Sequence, residues 1–315
     1  MLKPLKFVPV DSKIPFMSFG RPAFMVSGAA VLASIALFLI VGLNLGIDFR
    51  GGTLIEIQTQ GPANISELRN KVGGLGLGDI QIQEFGADNE VLIRIEQQPG
   101  GDVAQQEARS KVRDALGEGI TYRRVEVVGP TVSGELAIQG TIAVLAAIFA
   151  VLVYIWFRFE WQFSVGAVMA LLHDVMITIG MFSILQLEFN LSIIAALLTI
   201  VGYSLNDTVV VFDRVRENLR KYKKLALEEL LTLSINQTLS RTILTSVTTL
   251  IALGSLYSFG GEVIRGFTFA MIWGVVIGTY SSICIASPLL LMLGVKRDWS
   301  GEQTDKAKGS AARAT

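Results

Sequence analysis

Apolar residues are concentrated in six long runs, which are separated by segments rich in charged and polar side chains. In the first run no charged residue occurs between positions 22 and 47. A helix of roughly 20 apolar residues spans the hydrocarbon core of a bilayer, and each run approaches or exceeds that length. The pattern therefore predicts six transmembrane helices, within positions 22–47, 136–157, 163–185, 191–212, 243–259 and 266–293.

The segment between the first and second runs has a different pattern, because charged residues are spread throughout it. Nearly alternating apolar and polar residues predict strands there, and stretches of helical periodicity predict two short helices. The predicted order is β-α-β-β-α-β, which is that of a ferredoxin-like α+β domain. The strands are predicted at 53–59, 80–85, 91–96 and 122–128, and the helices at 65–72 and 103–116.

The distribution of basic residues predicts how the helices cross the membrane. Positions 1–21 carry four basic residues against one acid, and positions 214–224 carry six against one. The connections 186–190 and 260–262 contain one acid each and no basic residue. Because Lys and Arg are enriched in cytoplasmic loops, we expect both termini to be cytoplasmic and the α+β domain to be periplasmic. The predicted regions are a cytoplasmic tail 1–21, helix 22–43, the periplasmic domain 44–134, five helices within 135–295 with a cytoplasmic loop 213–240, and a disordered cytoplasmic tail 296–315.

Composition excludes several classes of function. Hydrophobic residues make up 51% of the chain and the formal net charge is zero, so overall electrostatics does not indicate nucleic acid as a partner. The one cysteine, Cys284, cannot form an intramolecular disulfide. No metal-ligand spacing, phosphate-binding loop or nucleophile arrangement occurs in the sequence. We therefore expect neither a metal, nor a cofactor, nor an enzymatic activity.

Asn206 and Asp207 interrupt the fourth apolar run. A carboxylate inside a bilayer costs roughly 3 kcal/mol or more and usually serves a function. Tyr203 lies one helical turn before Asp207 and shares its face. Arg241 precedes the fifth run, and it is as far from position 224 as Asp207 is. A hairpin symmetric about that position predicts an ion pair between Asp207 and Arg241, with Thr245 continuing the face of Arg241.

The predicted pair has two interpretations. A helix movement that makes and breaks it would load and release a proton, as a proton-driven motor requires. Alternatively, a static pair fixes the register of the two helices, or the charge extends to the membrane surface. Intramembrane carboxylates favour the first interpretation.

His173 and Asp174 lie near the middle of the third predicted helix. Adjacent residues on a helix do not face each other, so we do not expect a hydrogen-bonded dyad. Asp174 is a candidate secondary proton relay. His173, the single histidine of the chain, is either a pH-sensitive relay or a packing residue.

Asp48, Phe49, Arg50, Gly51 and Gly52 join the first predicted helix to the α+β domain. Paired glycines allow backbone angles that other residues avoid. We expect a structural hinge, with contact to a transported substrate as the alternative role.

Four motifs resemble signatures of the bacterial SecF family, in the same order and over nearly the whole chain. They are LGIDFRGGT at 45–53, FRFEW at 157–161, NDTVVVFDRVREN at 206–218 and LSRT at 239–242. The resemblance implies a fold of the resistance–nodulation–division type, with six helices and a periplasmic domain after the first, in the bacterial inner membrane. By motif, the essential membrane carboxylate and arginine of the family correspond to Asp207 and Arg241.

The resemblance also implies partners. SecD would supply a pseudo-symmetric other half, and the complex would use the proton-motive force to draw preproteins out of the SecYEG channel. YajC and YidC are further implied partners, beside protons and membrane lipids. Two alternatives remain open: half of a proton-driven small-molecule or lipid exporter of the same superfamily, which predicts an apolar pocket in a large outer domain, and a non-conducting scaffold.

Overall fold

The computed structural model describes residues 12–295. Positions 1–11 and 296–315 lie outside the described residues, and with them the disorder predicted for the C-terminal tail. In chain order the elements are α1 (Gly20–Ile40), β1 (Asn44–Leu45), α2 (Ile47–Arg50), β2 (Gly52–Gln58), α3 (Ile65–Gly73), β3 (Ile80–Phe85), β4 (Ala87–Ile95), α4 (Gly101–Leu116), β5 (Thr121–Val128), α5 (Pro130–Arg158), α6 (Trp161–Leu185), β6 (Glu188–Phe189), α7 (Leu191–Lys221), α8 (Leu227–Phe259), α9 (Arg265–Ser281) and α10 (Ser287–Leu293).

Six helical spans within the described residues are long and apolar enough to cross a membrane, as the six apolar runs predict. The first five contain α1, α5, α6, α7 and α8. The sixth, Glu262–Leu293, begins with a 3-10 turn and continues as α9, a π-helical segment Ser282–Ala286, and α10. Pro288 lacks a backbone N–H and sits just after the π-helical segment, where a widened turn accommodates it.

The segment 213–240, predicted as a cytoplasmic loop, is helical for most of its length. Helix α7 continues to Lys221 and α8 begins at Leu227, so that only residues 222–226 connect them. Arg241 therefore lies inside α8 rather than at its beginning. An apolar stripe explains the continuation, because Val215 and Leu219 on α7 pack in the same core as Leu230 and Ile235 on α8.

The region between α1 and α5 contains a four-stranded sheet with the order β3-β4-β2-β5, in which every neighbouring pair is antiparallel. Its order of strands and helices is the predicted one. Helices α3 and α4 cover one face, where alternate strand residues such as Ile55 and Ile93 are fully buried. On the opposite face, Leu54 and Leu92 form a smaller cluster with Ile47. Strands β2 and β4 therefore carry apolar residues on both faces, of which one serves the domain core.

This domain is attached to one end of the membrane helices by polar contacts. Strand β1 pairs in parallel with β6, which lies between α6 and α7. Arg94 on β4 forms an ion pair of 2.9 Å with Glu188 on β6, and both side chains are largely buried. The Arg94 guanidinium also donates to the Asn44 side chain at 3.2 Å. The three strands β1, β4 and β6 thus meet at one charged junction.

Helix α9 approaches α7 closely because two glycines face it. A Cβ atom built on Gly274 would lie 2.2 Å from Cγ1 of Ile200, and one built on Gly278 would lie 3.0 Å from Cβ of Ser204. This Gly-x-x-x-Gly spacing serves helix packing, as small residues do in membrane interfaces.

We expect Gly274→Ala to lower the free energy of unfolding by about 1–3 kcal/mol, because the added methyl group overpacks the contact with the β-branched Ile200. Unfolding in mixed detergent–SDS micelles measures the change. Gly254→Ala on α8 is the control, since nothing lies within 4 Å of its Cβ position. In a double-mutant cycle, Gly274→Ala and Ile200→Ala together should cost less than the sum of their separate effects. Equal stability of the two glycine variants would contradict the contact.

Candidate functional site

Asp207 is buried between three helical segments. Its side chain is 7% exposed. One carboxylate oxygen, Oδ1, accepts a hydrogen bond from the Thr242 hydroxyl of α8 at 2.6 Å. The other, Oδ2, accepts one from the hydroxyl of Ser282, the first residue of the π-helical segment. Both hydrogen-bond partners are neutral donors on different membrane spans, so the carboxylate connects the fourth, fifth and sixth spans.

The predicted ion pair between Asp207 and Arg241 is not formed in this structure. The hairpin is symmetric about position 224, as predicted, since α7 ends at Lys221 and α8 begins at Leu227. The depth of the two residues is therefore similar, but one step along a helix rotates the side chain by about 100°. Thr242 faces Asp207, whereas the side chain of Arg241 is exposed and forms no ion pair with the carboxylate.

The expectation that His173 and Asp174 do not face each other is wrong. Nδ1 of His173 lies 2.9 Å from Oδ1 of Asp174, and the side chains are 7% and 1% exposed. Neighbouring side chains on a helix diverge at Cβ, but the short aspartate can turn toward the imidazole. Oδ2 of Asp174 accepts hydrogen bonds from Ser204 at 2.5 Å and from Ser281 at 2.7 Å.

Two adjacent serines on the sixth span contact both buried carboxylates. Ser281 donates to Asp174 and Ser282 donates to Asp207. Neither serine was a candidate from the sequence, although the pair of hydroxyls interrupts an apolar run ahead of Pro288. That interruption is the signal that could have identified them.

A second group of hydroxyls lies beside the Asp207 site. Tyr203 donates from its phenol to Ser246 on α8 at 3.1 Å, and the Ser246 hydroxyl is 2.7 Å from that of Thr279 on α9. Tyr203 therefore points toward the interior, as its shared face with Asp207 predicts. Thr245 does not join this group, because its hydroxyl donates to backbone carbonyls of its own helix, the nearest at 2.9 Å.

An exposed polar strip runs along the hairpin of α7 and α8 within the membrane spans. Asn206 on α7 is exposed, and so are Arg241, Thr245 and Thr248 on α8. We call these four residues the open polar face. A guanidinium and an amide exposed to lipid would be costly. The face is therefore of the kind that another protein chain covers.

The residues 48–52 form a packed junction. Oδ2 of Asp48 accepts a hydrogen bond of 2.9 Å from the backbone N–H of Leu191, the first residue of α7. The ring of Phe49 lies 6.0 Å from that of Phe189, and Arg50 is exposed. Gly51 and Gly52 have φ values of 72° and 119°. A Cβ atom on Gly52 would lie 2.4 Å from the carbonyl oxygen of Ile95, so the position requires glycine.

A cavity of about 1000 Å³ lies between the sheet and the ends of the membrane helices that face it. Its walls are largely apolar and include Leu54 and Leu92 from the sheet and Phe267 from α9. Among residues 12–295, no group of three or more His, Cys, Asp or Glu side chains is arranged to hold a metal ion.

Comparisons with known proteins place these features in a family. The model described as "Protein export membrane protein SecD/SecF, C-terminal" matches residues 108–296, and that described as "SecD/SecF GG Motif" matches residues 36–63. Protein translocase subunit SecF of Cereibacter sphaeroides is 48% identical, over 97% of this chain and 97% of its own length. Protein translocase subunit SecDF of Brucella abortus is 46% identical over 93% of this chain, but over only 39% of its own length.

Solved structures give the same result. The crystal structure of SecDF from Thermus thermophilus aligns with a TM-score of 0.82 and 35% identity, covering 91% of this chain and 39% of that one. SecDF in its super-membrane-facing form aligns with a TM-score of 0.66 and 34% identity, covering 99% and 41%. The chain thus spans about two fifths of the SecDF proteins it resembles.

We expect Thr242→Val to destabilise the protein by about 1–3 kcal/mol, because the buried carboxylate of Asp207 loses a hydrogen-bond donor at nearly constant side-chain volume. Unfolding in mixed micelles measures the loss, and the infrared carboxylate stretch reports the altered hydrogen bond. Thr245→Val is the matched control, since that hydroxyl bonds only to backbone in the described chain. Equal behaviour of the two variants would show that the Thr242 contact is not stabilising.

Proposed function

Because the chain belongs to the SecF family of protein translocase subunits, we propose that it works with SecD as an accessory subunit of the Sec translocon. In this proposal the complex uses the proton-motive force to promote the late export of preproteins across the inner membrane. The observation that carries the proposal is the buried Asp207 carboxylate, which lies within a membrane span and is held by hydroxyl groups. A carboxylate in such a place is usually functional.

The proposed orientation in the inner membrane rests on the charge distribution, and the choice of that membrane rests on the family. The basic residues at 1–21 and 214–224 favour a cytoplasmic location for both termini and for the connection between α7 and α8. The region 44–134 would then be periplasmic. Its strand order, β3-β4-β2-β5 with two helices on one face, supports the assignment as a ferredoxin-like domain.

Asp207 is the proposed proton carrier, and Arg241 is its proposed electrostatic partner. The hydroxyls of Thr242 and Ser282 can donate to a carboxylate and can also accept from a protonated carboxyl, so they serve both charge states. Arg241 stands on the adjacent helix at similar depth. A rotation of α8 by about one residue step, roughly 100°, would exchange Thr242 for Arg241 beside Asp207. Formation of the ion pair would favour release of the proton.

Other polar residues would carry protons to and from Asp207. Tyr203 and Ser246 extend a line of hydroxyls away from the carboxylate on the inner side. Asn206 and Thr245 would serve on the open polar face, where water or a partner chain can reach them. Asp174 and His173 are a secondary relay. The junction at residues 48–52 would transmit movement of α7 to the periplasmic domain through Asp48.

SecD is the proposed partner that covers the open polar face. The relatives named SecDF are longer than this chain, which aligns with about two fifths of them, so a second half remains to be supplied. The remaining partners of the proposal are the SecYEG channel with YajC and YidC, and the translocating preprotein. In this role the protein is a transport subunit that requires no cofactor and performs no enzymatic reaction.

A second candidate function is half of an exporter for small molecules or lipids, and its motivation is the largely apolar cavity beneath the sheet. That cavity is formed jointly by the sheet and the membrane helices, whereas the exporter hypothesis predicts a pocket within a large outer domain, so the cavity matches the hypothesis only in its apolar walls. Exchange of labelled lipids or dyes across proteoliposomes tests this candidate. Proton-driven export of such a compound, without an effect on preprotein export, would favour it.

We expect Asp207→Asn to abolish the part of preprotein export that depends on the proton gradient, while assembly with SecD persists. The amide cannot bind and release a proton, but it preserves the volume and part of the hydrogen bonding. Export into inverted membrane vesicles, with and without a gradient, measures the effect. Asp213→Asn is the control, because Asp213 is on the same helix but forms a half-exposed ion pair with Arg158.

A non-conducting scaffold predicts the opposite result. It would retain wild-type export in Asp207→Asn, and proton conduction would be unchanged in Arg241→Ala. Either finding would contradict the proton-carrying role.

We expect a photo-crosslinking amino acid at position 248 to form a covalent adduct with SecD. Thr248 lies on the open polar face, next to Thr245 and one turn from Leu244. The same amino acid at Leu145 on α5 should give no SecD adduct. Leu145 is 62% exposed, but it lies on an apolar span, where lipid can cover the side chain without cost. Adduct formation is read from electrophoretic mobility and mass spectrometry. Adducts at 145 but not at 248 would place SecD on another face.

A further inference from the structure

The His173–Asp174 pair has the features of a site that holds a proton. Both side chains are more than nine-tenths buried, and Nδ1 of His173 lies 2.9 Å from Oδ1 of Asp174. One proton between these atoms belongs either to the imidazole or to the carboxyl group. Ser204 and Ser281 hold the other carboxylate oxygen. Because the pair is this deeply buried, a net charge on it is costly. The gain or loss of one proton, which changes that charge, therefore has a large effect on the free energy of the site.

No fixed cation contacts Asp174 among the described residues. The elements that pack against α6 are α1, α5, α7, α9, the π-helical segment and α10. Two titratable residues of these elements lie near the pair. The ring of Tyr280 is 6.1 Å from that of His173, and Asp207 lies on the other side of Ser281 and Ser282. The other titratable or charged residues of these elements are Arg21, Glu135, Tyr154, Arg158, Tyr203, Asp213, Arg214, Arg216, Glu217, Arg220, Lys221, Arg265 and Cys284.

Each serine of the pair has two acceptors within reach. The Ser281 hydroxyl is 2.7 Å from Oδ2 of Asp174 and 3.1 Å from the carbonyl oxygen of Gly278. The Ser282 hydroxyl lies beside Oδ2 of Asp207 and 3.0 Å from the carbonyl oxygen of Thr279. A hydroxyl has one proton, so it favours a charged carboxylate and can turn to the carbonyl when the carboxylate becomes neutral.

The two serines are adjacent at the point where α9 becomes π-helical. Their alternative acceptors are carbonyls of the last turn of α9. A change of partner at one serine therefore alters the hydrogen bonding of the turn that positions the other. Bistable hydrogen bonding of this kind is a physical route for coupling between two sites, and π-helical turns often occur at functional sites.

We propose that His173 and Asp174 form a second proton-binding site, which is coupled to Asp207 through Ser281 and Ser282. Binding forms one O–H bond at Asp174 and breaks one O–H bond of a hydronium ion, which becomes water; release reverses both changes. The coupling rests on the proposed proton-carrying role of Asp207, whereas the second site itself does not. When one carboxylate binds a proton, the serine beside it changes its hydrogen-bond partner. That change alters the hydrogen bond which the other serine donates to the second carboxylate, and so alters the proton affinity of the second carboxylate.

Difference infrared spectroscopy between acid and alkaline pH tests the proposal on the full chain with SecD in lipid nanodiscs. Protonated buried carboxyl groups give C=O stretching bands above the amide region. We expect two such bands in the wild-type chain, one lost in Asp174→Asn and the other lost in Asp207→Asn. In Asp207→Asn the remaining band should also shift. In a Ser281→Ala/Ser282→Ala variant both bands should persist. When Asp207→Asn is added to that variant, the Asp207 band should be lost but the Asp174 band should no longer shift.

The single histidine provides a second readout that leaves Asp174 intact. In a chain labelled with ¹⁵N-histidine, the imidazole signals of His173 should change with pH and respond to Asp207→Asn, and this response should vanish in the double serine variant. Ser183→Ala is the control, because that buried hydroxyl on α6 donates to the carbonyl of Gly42 instead.

The outcomes separate the hypotheses. If Asp174→Asn removes no band and the His173 signals do not change with pH, the pair is a structural contact and the second site is wrong. If both sites titrate but Asp207→Asn leaves the Asp174 band and the His173 signals unchanged, the coupling is wrong. If Asp207→Asn removes no band while Asp174→Asn does, the proposed role of Asp207 fails and the second site stands.

Discussion

A carboxylate inside a low-dielectric environment must be hydrogen-bonded, paired with a cation or protonated. In this protein the first of these solutions determines how the membrane helices pack. Asp174 and Asp207 lie on neighbouring helices, and hydroxyl groups from α7, α8 and the sixth span converge on them. Because hydroxyls can serve a carboxylate and a neutral carboxyl group alike, the arrangement tolerates a change of charge that a fixed ion pair would resist.

The approach of α9 to α7 makes this arrangement possible. Gly278 sits against Ser204, and it is Ser204 and Ser281, from the two helices, that share one oxygen of Asp174. A larger residue at Gly278 would separate the two hydroxyls. The π-helical turn that follows then directs Ser282 toward Asp207. The polar contacts therefore depend on the helix packing, since the glycines set the distance between α7 and α9 at which Ser204 and Ser281 both reach Asp174.

Patterns along the sequence predict those features that depend on one helix or strand at a time. The six spans follow from apolar runs, the β-α-β-β-α-β order follows from alternation, and the depth of Asp207 relative to Arg241 follows from hairpin symmetry. Rotation about the helix axis is not predictable in this way, because it depends on contacts with three neighbouring helices. That is why Thr242 rather than Arg241 meets Asp207. For a similar reason the sequence does not predict the contact of His173 with Asp174, which depends on side-chain torsions. Nor does it predict the contacts of Ser281 and Ser282, which depend on the rotation of the sixth span.

Helix α7 connects the buried carboxylate to the α+β domain. Its first residue, Leu191, donates its backbone N–H to Asp48, and the strand just before it carries Glu188, which pairs with Arg94 of the sheet. Asp207 follows on the same helix, at about 1.5 Å per residue, roughly 24 Å away. A helix transmits axial displacement over that distance, since its backbone hydrogen bonds resist extension. Movement of α7 at the level of Asp207 must therefore either move the sheet or break the contacts at Asp48 and Arg94, which are largely shielded from water. The protein thus has a continuous path of hydrogen-bonded structure from the membrane carboxylate to the domain outside it.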